Sequence, residues 1–202
     1  MGLYWKEGGQ MPYSDDKDRS QRWREWIQSI YESVSTLIIS MLVIVVLFTF
    51  FFRIIRVEGD SMVSTLKSGD QLVLSTTVSQ YQRGDIVVVD RYTIEPLIKR
   101  VIAVGGDTIN IDTEGNVYLN GVILNEPYAT SYTPQKGCTD SVVVPFGYVF
   151  LMGDNRMVSL DSRSEEIGLV LEKDIVGKVI FRLSPLPSFG GVYGNMEQSI
   201  TN

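Results

Sequence analysis

Ser61, Lys99 and Ser159 are the residues whose types and settings could do chemistry, and each sits in a dense cluster. The first cluster is Gly59-Asp60-Ser61-Met62-Val63-Ser64-Thr65-Leu66. The second is Lys99-Arg100-Val101, followed by Gly105-Gly106-Asp107. The third is Gly153-Asp154-Asn155-Arg156-Met157-Val158-Ser159-Leu160-Asp161-Ser162-Arg163. The chain contains no histidine, which excludes histidine-activated serine or cysteine nucleophiles and most zinc chemistry. A hydrolytic base must then come from Lys, Asp, Glu or Tyr. A serine hydroxyl beside a neutral lysine amine can carry out nucleophilic acyl transfer. Lysine is protonated near neutrality, with an ordinary pKa of about 10.4, and bringing it to about 7–8 costs roughly 3–4 kcal/mol of desolvation. Val101 and the apolar runs near Lys99 could supply that burial. Alternation along a strand would send Arg100 to the other face.

Taken singly, each cluster has a plainer reading. Serine after Gly-Asp suits a turn, lysine at a strand end is usually solvated, and Asp-Asn-Arg or Asp-Ser-Arg often form weak surface ion pairs. The joint occurrence of all three in one histidine-free chain outweighs these readings. Other candidates are weaker. Ser64 to Lys67 spells Ser-x-x-Lys, but two fixed positions in four arise by chance and no convincing Ser-x-Asn follows. Cys138 is the single cysteine, so it forms no internal disulfide, and nothing here would activate its thiol. Arg83-Gly84-Asp85 reads as the turn before a strand.

The elements that must position these residues fall into two textures. Residues 1–32 form a polar tail of mixed charge leading into a helix. Ser33 to Phe52 carries no charge, and at 1.5 Å per residue such a run spans roughly 30 Å, the thickness of a bilayer core. Bulky Phe50-Phe51-Phe52-Arg53 follows it where a cleavable signal would need small residues, so the run reads as a retained transmembrane helix. Trp26 and Tyr31 suit an interface belt. Basic residues flank both ends almost equally, with Arg19, Arg22 and Arg24 before and Arg53, Arg56 and Lys67 after, so charge does not orient the span.

From Ile54 the pattern is β. Short apolar runs rich in β-branched residues recur at 72–74, 86–89, 101–104, 142–144, 149–152 and 179–181, separated by Gly, Asp, Asn and Pro. Asn120-Gly121 between two such runs predicts a two-residue hairpin. The reading is a β-rich domain over 53–189, with a small β insertion at about 108–147 and a flexible tail over 190–202. A net charge of −6 argues against nucleic acid as a partner.

The clusters resemble the boxes of the bacterial type I signal peptidases (leader peptidases, peptidase family S26). Ser61 to Leu66 match Ser-Met-x-Pro-Thr-Leu except at Ser64, where the family usually has proline. Lys99 to Val101 and Gly105 to Asp107 match the base box. Gly153 to Arg163 match Gly-Asp-Asn-Arg-x-x-Ser-x-Asp-Ser-Arg in full, and Gly84-Asp85-Ile86-Val87 match a shorter box. The short segment between Asp107 and Gly153 is similar to the compact Gram-positive members.

The resemblance implies a mostly β, signal-peptidase/LexA-like catalytic domain behind one N-terminal transmembrane helix. It implies a Ser61–Lys99 dyad, with Ser159 hydrogen-bonding Lys99 and the Ser61 N–H helping to bind an oxyanion. Gly59 stands where some members place a second oxyanion hydroxyl. Ion pairs Asp154–Arg100 and Asp161–Arg163 would brace the site. The implied activity is removal of signal peptides with small residues at their last and third-last positions from exported preproteins. It would be carried out by a monomer in the cytoplasmic membrane, with the domain outside and no metal or cofactor. The alternative is a catalytically silent assembly factor for surface proteins or pili. A soluble Ser-Lys self-cleaving regulator is disfavoured by the apolar span.

Overall fold

The computed structural model describes residues 15–90 and 95–192. The parts of the polar tail and C-terminal tail at 1–14 and 193–202 lie outside the described residues. A single long helix, α1 (Asp15–Phe51), comes first. Its stretch Gln21–Phe51 is long and apolar enough to cross a membrane, and none of the span's most apolar window is buried within the protein. Leu37, Met41, Leu42 and Phe48 are exposed along it. An exposed apolar surface of that length suits lipid, where an α-helix meets its own backbone hydrogen bonds. The helix starts well before the charge-free run 33–52 and stops one residue short of its end. Phe52 is taken into the first strand, opposite Ser75.

The rest of the chain is a separate compact unit, from Thr49 onward. Its strands are β1 (Phe52–Arg56), β2 (Gln71–Ser75), β3 (Ile86–Val89), β4 (Leu97–Val104), β5 (Thr108–Ile111), β6 (Val117–Leu119), β7 (Val122–Ile123), β8 (Val142–Val143), β9 (Tyr148–Met152), β10 (Val170–Leu171) and β11 (Ile175–Ser184). Seven form one antiparallel sheet in the order β1-β2-β11-β3-β4-β9-β10. The other four form a sheet in the order β7-β6-β5-β8. The β-branched runs of the sequence lie on β2, β3, β4, β8, β9 and β11. All four residues of β3 are buried, because the two faces of the large sheet are both covered. Ile86 and Val88 pack with Met62, Leu66, Leu72 and Leu74, while Val87 and Val89 pack with Val101, Val149 and Leu151. Burial on both faces explains why this strand reads as a continuous apolar run rather than an alternating one.

Asn120 and Gly121 join β6 to β7 with φ of 53° and 80°, the left-handed pair that a type I′ hairpin requires. The small sheet packs Ile109, Ile111, Val117 and Leu119 against Ile102, Phe150 and Met152 of the large one. Gly105 lets two turns meet, since a Cβ there would lie 2.7 Å from the Phe146 backbone. Between β7 and β8, residues 124–141 form no regular element, and Tyr128 and Cys138 from this segment join the cluster of Ile102, Phe150 and Met152.

Candidate active site

Two buried anchors, Met62 and Leu66, fix the turn that carries Ser61. The Leu66 N–H closes the turn on the Met62 carbonyl at 2.8 Å. From the third cluster, the Asn155 backbone N–H donates to the Ser61 carbonyl at 3.0 Å and its side-chain amide donates to the Asp60 carbonyl at 3.1 Å. The Ser61 turn is therefore held from below by apolar packing and from the side by Asn155.

Lys99 lies on β4 opposite Val87 and is only 3% exposed. Its Nζ donates to Ser61 Oγ at 2.8 Å and to the Ile98 carbonyl at 3.0 Å. Burial is the largest influence on this amine and lowers its pKa from 10.5 to about 8. Asp161 and Asp154 pull it up and Arg163 pulls it down. No carboxylate is among its hydrogen-bond partners in the described residues, so desolvation prevails.

Arg100, the next residue, donates from Nε and Nη2 to the two oxygens of Asp154 at 2.8 and 2.7 Å, and from Nη1 to the Gly84 carbonyl at 3.0 Å. Asp154 also accepts from Thr65 Oγ1 at 2.5 Å. Arg163 forms a second fork on Asp161, with both bonds at 2.8 Å, and Asp161 takes the Gly153 N–H at 3.0 Å. Burial alone would raise the Asp161 carboxyl, but the Arg163 hydrogen bonds and charge outweigh it and hold its pKa below the usual range.

Ser159 is brought to the same place and is fully buried. A Cβ on Gly153 would fall on the Ser159 side chain and 2.5 Å from the Ser61 carbonyl oxygen, so only glycine lets these segments meet. The Ser159–Lys99 hydrogen bond implied by the resemblance is not made. The Ser159 hydroxyl has no hydrogen-bond partner among the described residues, and the Lys99 amine is directed to Ser61 and Ile98. Gly59 adopts φ 81°, is exposed, and has no atom within 4 Å of a Cβ built there.

The weaker candidates separate from this site. Cys138 is buried and its thiol pKa is pushed up by desolvation. Ser64 donates weakly to the Tyr128 carbonyl at 3.4 Å, and Lys67 is exposed. Arg83 pairs with Asp107, and Asp85 pairs with Lys178 at 2.7 Å, so both charges of the 83–85 tripeptide serve the fold.

Sequence reasoning missed several supporting residues. Glu126 takes both ends of the Arg156 guanidinium, at 2.7 and 2.6 Å. Tyr128 lies with its ring centroid 4.1 Å from the Arg100 guanidinium and 5.8 Å from that of Arg156. Arg182 of β11 donates to the Thr65 carbonyl at 2.6 Å and pairs with Asp70 at 3.3 Å. Their only sequence signal was opposite charge far apart in the chain, which spacing cannot pair. Beside Ile98 a groove of about 460 Å³ is lined half by apolar side chains, Ile55, Val88, Pro96, Ile98 and Val176, and half by charged ones, Arg53, Arg56, Glu58, Asp90 and Glu95.

Comparison with known proteins gives the family. The family "Signal peptidase, peptidase S26" matches residues 29–184. "Signal peptidase I" of Bacillus licheniformis is 34% identical over 169 residues, covering 78% of this chain and 90% of its own. "Signal peptidase I T" of Bacillus subtilis (strain 168) is 33% identical, covering 84% of this chain and 89% of its own. "Probable signal peptidase I-1" of a Synechocystis species is 36% identical, covering 81% and 87%. The crystal structure of a signal peptidase I from Enterococcus faecalis V583 aligns with 50% of this chain and 98% of its own, at 28% identity and a TM-score of 0.43. Matches that run through all three clusters and nearly the full length of the relatives lead to one conclusion: the chain belongs to the bacterial type I signal peptidases of peptidase family S26.

Proposed function

We propose that this protein is a membrane-anchored serine endopeptidase that removes signal peptides from exported preproteins, with Ser61 as nucleophile and Lys99 as general base. The observation that carries the reading is the 2.8 Å contact between Ser61 Oγ and the Nζ of a nearly fully buried lysine. A pKa of about 8 leaves a useful fraction of that amine neutral at working pH. Once the amine is neutral, one N–H stays on the Ile98 carbonyl and the lone pair, in place of the donated N–H, faces the Ser61 hydroxyl. The amine takes the hydroxyl proton as Ser61 Oγ attacks the scissile carbonyl. The Ser61 backbone N–H stabilises the oxyanion, and the proton passes to the leaving amine. Lys99 then activates water to hydrolyse the acyl-enzyme. Every step uses groups of the chain and water.

The preference carried over from the family is for small residues at the last and third-last positions of the signal, which shallow pockets select by excluding larger side chains. Gln21–Phe51 would hold the protein in the cytoplasmic membrane, with the β domain on the outer side where precursors emerge. The domain acts as a monomer in this reading.

The test is cleavage of a signal-bearing precursor by the full chain in detergent, beside Ser61→Ala and Lys99→Ala. Cleavage after a small-x-small site that disappears in both folded variants is the expected outcome. Undiminished cleavage by either variant would overturn the dyad.

A further inference from the structure

The irregular segment 126–136 touches the site at more points than a connector between β7 and β8 requires. Tyr128 is 8% exposed, and the fully buried guanidiniums of Arg100 and Arg156 both lie over its ring, 4.1 and 5.8 Å from the centroid. Each of those arginines is one residue from a group that touches the proposed dyad. Arg100 follows Lys99, and its fork on Asp154 continues to Thr65 of the Ser61 turn. Arg156 follows Asn155, whose N–H holds the Ser61 carbonyl. Glu126 completes the wedge by taking both ends of Arg156 and the Tyr128 hydroxyl at 2.9 Å. The backbone joins in as well, with the Thr130 N–H on the Asp154 carbonyl at 3.3 Å and the Ser64 hydroxyl on the Tyr128 carbonyl at 3.4 Å.

We propose that Tyr128, seated by Glu126, is a positioning residue for the Ser61–Lys99 pair: its ring sets the spacing of Arg100 and Arg156, and through them the base strand and the nucleophile turn. This inference rests on the reading of Ser61 and Lys99 given above. A side chain that merely filled the core would be replaceable by another apolar group of similar bulk. A π face that holds two cations would not be, because the contact is electrostatic and directional.

The test uses the full chain in detergent and three variants, Tyr128→Leu, Tyr128→Phe and Glu126→Gln. Each is read by kcat, KM, thermal melting and the NMR titration of the Lys99 Cε resonance. Tyr128→Leu is expected to lower kcat about tenfold or more with KM within about twofold, since small misplacements of reacting groups are costly. It should also move the Lys99 titration midpoint. Tyr128→Phe keeps the ring but loses the hydroxyl bond to Glu126, so both values should move only a fraction of the way toward those of Tyr128→Leu. Glu126→Gln should lower kcat about threefold or more without changing KM, by releasing Arg156 from its counter-charge. A folded Tyr128→Leu protein with the kcat and Lys99 midpoint of the wild type overturns the proposal. So does Glu126→Gln with both values unchanged, which decides alone where Tyr128→Leu does not fold. The titration is read without any cleavage, so a wild type that cuts no precursor refutes the proposed function while the positioning role is still decided.

Discussion

Lys99 and Arg100 are neighbours on β4, 3% and 0% exposed, and the structure treats their charges in opposite ways. Arg100 is given a bidentate carboxylate, a backbone carbonyl and an aromatic face. Lys99 is given one hydroxyl and one carbonyl, both neutral. The same burial that Arg100 tolerates as a paired cation pushes the lysine amine down to about 8. One strand thus holds a permanent charge that organises the site beside a charge that is easily given up. The difference lies in the partners supplied, since depth is nearly equal.

The harshest way to break this contrast is to make both cations permanent. Lys99→Arg places a guanidinium that cannot deprotonate where the base must be neutral. Loss of a general base costs roughly 10²–10⁴-fold, and more where it also activates the nucleophile. The variant should show no turnover above the Ser61→Ala background in a precursor-cleavage assay, while keeping a cooperative melt.

Next in size is to starve Arg100 as Lys99 is starved. Asp154→Ala leaves a fully buried guanidinium without its carboxylate, and breaking such a pair costs about 3–5 kcal/mol. Denaturant melts of the two proteins would measure this. A change under about 1 kcal/mol would mean that water or another group replaces Asp154, and that the two cations are less different than they look.

Removing the starved cation should do the reverse. Lys99→Met takes away a buried amine whose pKa has fallen from 10.5 to about 8. That displacement corresponds to about 3 kcal/mol carried against folding while both states are protonated, below pH 8. Between pH 8 and 10.5 the folded protein releases the proton before the unfolded chain does, so wild-type stability climbs with pH. Lys99→Met should therefore be more stable near neutrality, and the advantage should fade toward and above pH 10.5. Melts over that pH range provide the check, and an advantage independent of pH would assign the effect to packing instead.

The residues on which this contrast depends were only partly visible in the sequence. Ser61, Lys99 and the third cluster lie in local patterns dense enough to be noticed, and the runs at 86–89 and 149–152 are continuously apolar, as strands covered on both sides are. Asn120-Gly121 announced its hairpin because only residues tolerant of positive φ fit that turn. What could not be read were contacts between segments that have no shared period. Glu126 and Tyr128 sit in a stretch without regular structure, and Arg182 finds Thr65 across 117 positions. The charge-free run also gave no hint that Phe52 would pair with Ser75, because an apolar residue at the end of a span suits a helix and a strand equally. The bond expected from Ser159 to Lys99 is missing for a reason that spacing cannot convey: the hydroxyl is packed against Gly153, and the amine is already engaged by Ser61 and the Ile98 carbonyl.

The smallest expected effect sharpens the contrast most finely. Among the charges acting on Lys99, Asp161 is the strongest that favours its protonated form, and Arg163 opposes it. Asp161→Asn removes the first and leaves the second without its counter-ion, so both changes act in one direction. The Lys99 amine becomes harder to protonate, and the rising limb of kcat/KM against pH, which should have its wild-type midpoint near 8, moves to lower pH by a fraction of a unit. The variant keeps the size and part of the hydrogen bonding of the carboxylate, so some stability is lost but the fold persists. A shift to higher pH would show that Asp161 acts on Lys99 mainly by keeping its surroundings dry, with water admitted in its absence. No shift would mean that Arg163 and the Gly153 N–H neutralise its charge so fully that Lys99 answers to burial alone.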